Sequence, residues 1–218
     1  SRAYYPQEFS GLQMLNVVTL DLGGDGLAGV LDATSVLADG QTIYASTDSL
    51  YVGTTQWVDW RVVEESWSDE SIVLPPATTN VHKFDISDPT RTDYVASGSV
   101  VGTVLNQYSM SEHEGRLRIA TTDFDEWGRG DGSVSLVSVL EQHDGDLDVV
   151  GEVGDLGRGE RIFAVRFLGD VATVVTFRQT DPLYTIDLTD PTNPTLVGEL
   201  KILGYSAYLH PLGDDLLL

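Results

Sequence analysis

Apolar residues in this chain return at every second position or gather in short unbroken runs, and no eleven-residue window carries a helical period. The runs are "LNVVTLDL", "QTIYAS", "SLYVGT", "NVHKFDI", "RLRIATT", "SVSLVSVL", "IFAVRF", "VATVVTF", "PLYTIDL" and "TLVGELKI". They are rich in Val, Ile, Thr, Tyr and Phe and are bounded by Gly, Asp, Asn and Pro. That combination predicts strands joined by tight turns, in a chain that is nearly all β.

The order of these runs repeats. From Ile162 it is strand, turn "LGD", strand, loop "RQTD", strand, turn "TDPTNP", strand, ending near Gly204. The same order runs from "NQYSM" to "LDVVGEV", ending near Gly157, and from "QTIYAS" to "DYVASGSV", ending near Gly102. Four-stranded antiparallel units at a period of roughly 45 to 65 residues match the radial blades of a β-propeller. The expected division is a blade over 35–102, a blade over 103–157 and a blade over 158–204, with half-blades over 1–34 and 205–218. That makes about three complete blades, in a partial arc or a small ring. "DDLLL" stops in mid-strand, so a fragment of a larger propeller is expected, and its exposed blade edges would suit a homodimer. "SDPTRT" and "TDPTNP" do the same work in two units. Asp can accept a backbone N–H ahead of it, and Pro presets φ near -65° for the reversal.

Charge narrows the partners. The net charge of -22 comes from 34 carboxylates against 12 bases, and such a field repels a phosphate backbone, which argues against nucleic acid. The acids are spread along the chain, as expected of a surface kept hydrated in a salty or extracellular setting. No stretch is long and apolar enough for a membrane-spanning helix. Cysteine is absent, which removes disulfides, thiolate chemistry and Cys-ligated zinc.

Three stretches carry a family resemblance. "VRFLGDVATVVTFRQTDPLYTIDLTDPTNPTLVGELKILGYSAYLHPLGDD" resembles the signature region of a family of secreted prokaryotic proteins with a C-terminal β-propeller, distantly related to WD repeats. "NQYSMSEHEGRLRIATT" and "TIYASTDSLYVGTTQW" are similar to their counterparts there. The resemblance implies an exported or surface-tethered propeller and brings no catalytic residues with it.

Candidate chemistry is sparse. Propellers take ligands at the mouth of the central channel, where Arg166 in "AVRF", His210 in "AYLHP" and Gln107 in "NQYS" are expected on or beside innermost strands. Such a trio would grip an anionic or sugar ligand, and it would equally serve as packing and hydrogen bonding between blades. The insert "TTQWVDWRVVEESWSDESIVLPPATT" places Trp57, Trp60 and Trp67 among carboxylates. It suits sugar stacking or the basic patch of a protein partner, or else merely caps the blade. "DFDEWGRGDG", with Asp123, Asp125 and Asp131, is a candidate Ca2+ loop, and "HDGDLD", with Asp144, Asp146 and Asp148, is a weaker one that also reads as a hairpin turn. Neither follows the helix-loop-helix calcium pattern. In "FRQTDP", Arg178, Gln179 and Asp181 read as a local ion pair and the start of a turn. Four scattered histidines show no metal spacing, and no nucleophile elbow or phosphate loop is present.

These observations lead to a non-enzymatic, extracellular or cell-surface propeller that binds or scaffolds a protein or glycan. Two alternatives stand beside it. One is a carbohydrate-active hydrolase or lyase working at the channel mouth through His210, Arg166 and Asp181, and the other is a purely structural surface protein.

Overall fold

The computed structural model describes residues 2–23, 29–56, 76–124, 132–177, 181–202, 209–213 and 216–217. Among these residues the only helical turn is a 3-10 segment, and the rest of the regular structure is β. The chain divides into two compact units. The first comprises Ser1–Thr54, Asn80–Ser99 and Gln142–Asp148, and the second Thr55–Thr79, Val100–Glu141 and Val149–Leu218.

In the first unit, β1 (Arg2–Tyr4), β2 (Met14–Asp21) and β3 (Gly29–Leu37) form a sheet in the order β1-β3-β2. β2 and β3 are antiparallel, whereas β1 lies parallel to β3 in the register Arg2↔Thr34. The apolar patterning predicts β2 and β3 but not β1, which is too short to show a period. Arg2 explains its position. Its guanidinium pairs with Asp32 and Asp93 and donates to the Thr92 carbonyl at 2.8 Å, so a charged residue holds the strand in place. β4 (Thr42–Ala45), β5 (Ser49–Gln56), β6 (Thr78–Asp85) and β7 (Asp93–Val101) follow in that hydrogen-bonded order. Val36, Ala38, Val52 and Phe84 bury together as this unit's core, with Leu15, Val17 and Tyr94 against them.

The second unit is built mainly from two sheets. In one, β8 (Thr103–Val104) and β9 (Met110–His113) both pair antiparallel with β10 (Arg116–Asp123), followed by β11 (Val134–His143) and β12 (Asp146–Leu156). The other is β13 (Arg161–Leu168), β14 (Val171–Phe177), β15 (Asp181–Asp187) and β16 (Thr195–Ile202), antiparallel throughout. Val165, Ala172, Val174, Tyr184 and Ile186 pack against Ala120, Val137, Val139 and Leu156 in one cluster. The opposite face of β13 and β14 packs Ala164 and Val175 on Leu209. A strand buried on both faces needs an unbroken apolar run, which is what "VATVVTF" supplies. β17 (Pro211–Leu212) and β18 (Leu216–Leu217) form a short hairpin.

The turns obey the chemistry expected of them. Asp85 Oδ1 accepts from Ser87 N at 2.9 Å and Asp88 Oδ1 from Thr90 N at 2.8 Å, and Asp187 and Asp190 do the same for Thr189 and Thr192 at 2.9 and 3.0 Å. Each carboxylate also accepts the neighbouring hydroxyl. These bonds to the ionised form hold all four acids below the ordinary Asp value. The two-residue turns at Glu114–Gly115 and Asp144–Gly145 have positive φ at both positions (49° and 78°, 46° and 104°), matching the twist of the hairpins they join.

Candidate functional site

Of the described ligand-binding candidates, Arg166 and the turn that carries Gln107 come together in the second unit, around β13. The 3-10 turn spans Gln107–Ser109, where the sequence reading expects an innermost strand. The correction has a local cause: Asn106 Oδ1 accepts from Tyr108 N at 2.9 Å, capping a turn instead of extending the strand. The turn exposes Gln107 and Tyr108 beside β13. Arg166, half-buried on β13, lays its guanidinium over the Tyr108 ring at 4.1 Å and donates from Nη1 to the Val165 carbonyl at 2.7 Å. Tyr108 is 50% exposed, so the pair forms a surface with an aromatic face and a planar cation. Sequence reasoning named Arg166 and Gln107 but missed Tyr108. Its adjacency to Gln107 was the only available signal.

His210 is exposed and follows Leu209, which is buried against Ala164 and Val175. Trp57, Trp60, Trp67, Asp125, Asp131, Arg178 and Gln179 lie outside the described residues. Asp123 ends β10, and its carboxyl is pushed up by burial. Its Oδ1 is buried with no hydrogen-bond partner among the described residues. Asp144 falls in the hairpin turn, Asp146 pairs with Ser97, and Asp148 lies 3.7 Å from His143. Asp181 opens β15.

A second feature is a shallow cleft of about 30 Å3, enough for one or two waters, lined by His113, Glu114, Arg116, Arg118, Asp170 and Thr189 among others. His113, Asp170 and Arg116 are engaged in pairs. His113 Nε2 lies 3.1 Å from Asp170 Oδ1, and Arg116 Nε donates to Glu141 Oε2 at 2.9 Å across the β10–β11 pair. Arg118 is 5% exposed, with its guanidinium 5.1 Å from the Phe167 ring, donating to Ser111 Oγ at 2.8 Å and to the Gly169 carbonyl. This arginine ties β9, β10 and the β13–β14 turn together, so its role is structural.

The model of the Beta propeller domain family matches residues 1–218. An uncharacterized protein of Methanocaldococcus jannaschii is 44% identical over 156 residues, covering 72% of this chain and 23% of the relative. One from Archaeoglobus fulgidus is 43% identical over 140 residues, covering 64% and 20%. The chain therefore spans less than a quarter of the length of these relatives. A subtype N10 neuraminidase-like protein of A/little yellow-shouldered bat/Guatemala/060/2010 superposes with a TM-score of 0.40 at 10% identity. That superposition covers 86% of this chain and 56% of the other. The family model covers the chain from end to end, the described regular structure is nearly all β, and the chain belongs to the Beta propeller domain family.

Proposed function

We propose that this chain is the propeller region of an extracellular or cell-surface protein and acts as a non-enzymatic module that binds a protein or glycan. The observation that carries this reading is the exposed Tyr108 ring capped by Arg166, beside the exposed Gln107. A ring and a guanidinium on a rigid sheet suit stacking and hydrogen bonding to a sugar or a polar side chain, with little ordering cost. Six of the described acids are taken up by the fold: Asp85, Asp88, Asp187 and Asp190 satisfy turn backbone, and Glu141 and Asp93 pair with arginines. The alternative hydrolase would instead need two carboxylates facing one cleft at about 5 to 10 Å.

The test is affinity electrophoresis against neutral and acidic polysaccharides, with titration against basic proteins as a second arm. One of these probes is expected to retain the protein, and Tyr108→Ala or Arg166→Ala to weaken retention about tenfold, the size of one lost anchor. Retention unaltered by both substitutions would remove the site, and release of new reducing ends would place the hydrolase ahead. Protease shaving of intact cells should release peptides of this region, and an intracellular-only signal would end the surface assignment.

A further inference from the structure

Tyr108 is held more firmly than an exposed tyrosine on an open loop. Asn106 Oδ1 accepts from Tyr108 N at 2.9 Å, Ser109 N donates to the Asn106 carbonyl at 3.0 Å, and Met110 N donates to the Gln107 carbonyl, so both ends of the turn are closed. Ser109 and Met110, which follow the ring in sequence, are buried. A turn anchored in this way leaves little ordering for a ligand to impose.

One face of the ring carries the Arg166 guanidinium, 4.1 Å from the centroid. Half of the residue is still open to solvent, so the face turned away from Arg166 is the one available to a ligand. The guanidinium is fixed behind the ring by its bond from Nη1 to the Val165 carbonyl at 2.7 Å.

Two charge effects then decide what the open face accepts. A cation stacked on it would stand on the order of 8 Å from the guanidinium, where repulsion between the two is as large as the attraction an exposed ring offers a cation. Lysine and arginine side chains of a basic partner are therefore poor ligands here. An anion meets the opposite obstacle, because a net charge of -22 repels it on approach and the guanidinium that could pair with it lies beneath the ring. A neutral group is subject to neither effect. What the ring then offers is dispersion, which is greatest against a flat apolar surface of its own size. The C–H face of a hexopyranose with equatorial hydroxyls is such a surface. Its hydroxyls lie around the rim, and the exposed amide of Gln107, with two donors and an acceptor, can bond them.

We propose that the open face of Tyr108 is a stacking site for neutral, equatorially hydroxylated hexose units of a glycan, with Arg166 as the support behind the ring and Gln107 as the polar contact beside it. This names the ligand of the surface to which a binding role is assigned above, and it rests on that role.

Calorimetric titration of the intact chain with laminarin, a neutral β-glucan, with polygalacturonate and with polylysine, at about 0.15 M salt to screen the general charge, tests this. Laminarin is expected to bind, with Tyr108→Ala weakening it at least about tenfold and Tyr108→Phe staying within about threefold of wild type, because stacking needs the ring and not its hydroxyl. Arg166→Met keeps a stem under the ring and removes the charge, so laminarin should again bind within about threefold of wild type. The ring is half-exposed, so an unmoved thermal midpoint in Tyr108→Ala should separate lost binding from lost fold. Tighter Tyr108-dependent binding of polygalacturonate or polylysine than of laminarin would overturn the neutral glycan and leave the binding role standing. Arg166→Met as damaging to laminarin binding as Tyr108→Ala would show that the guanidinium itself holds the sugar, and would overturn the proposal too. No Tyr108-dependent binding of any of the three would overturn both the proposal and the binding role.

Discussion

His82 is the residue where burial has the clearest energetic consequence. It is fully buried on β6, with Nδ1 3.1 Å from Tyr94 Oη and Nε2 without a hydrogen-bond partner among the described residues. Burial lowers its pKa from 6.5 to about 4. The unfolded chain therefore takes up a proton near pH 6.5 and the folded chain only near pH 4, so stability falls as pH drops through that window. The loss totals roughly 3 kcal/mol below pH 4, with no contribution from this group above about pH 7. Denaturant titrations from pH 4 to 7.5 should show this slope, and His82→Gln should flatten it. A slope unaltered by the substitution would place the titration elsewhere. The glycines make the opposite kind of prediction. Gly98→Ala and Gly151→Ala force a Cβ into backbone and should each cost about 1 to 3 kcal/mol, while Gly198→Ala should leave the thermal midpoint unmoved.

Strands are held by two different means. β14 is buried on both faces, and Ile186, facing it from β15, is fully buried, so Ile186→Ala should cost about 2 to 5 kcal/mol in chemical denaturation. β1 has three residues and little apolar burial, and it depends on Arg2 reaching Asp32, Asp93 and the Thr92 carbonyl. Arg2→Met keeps the stem and removes the donors. Hydrogen exchange at Ala3 and Tyr4 should then quicken selectively while β14 stays protected. Equal quickening at both would show that β1 does not open locally.

Taken as a whole, the molecule carries 34 carboxylates against 12 bases, and the described ion pairs engage only some of them. Repulsion among the remainder favours the unfolded chain, so the thermal midpoint should rise steadily with added KCl, and sucrose, which does not screen charge, should not reproduce the low-salt part of that rise. A midpoint flat in salt would show that the acids are already neutralised by pairing or bound cations.

The strands, their turns and the bond from each turn Asp of "SDPTRT" and "TDPTNP" to a backbone N–H ahead of it were legible along the chain, because alternation and turn chemistry act between residues a few positions apart. Arg166 and Gln107 were legible as candidates for the same reason of position within a repeat. Tyr108 as the ring under Arg166, the 3-10 turn that presents it and β1 as a parallel addition were not. Each depends on groups far apart in sequence: Tyr108 and Arg166 are separated by β9 to β12, and Arg2 and Asp93 by β2 to β6. Local pattern sets which face of a strand is apolar, whereas which side chain meets that face is settled only when sheets pack and every neighbour competes for the same volume.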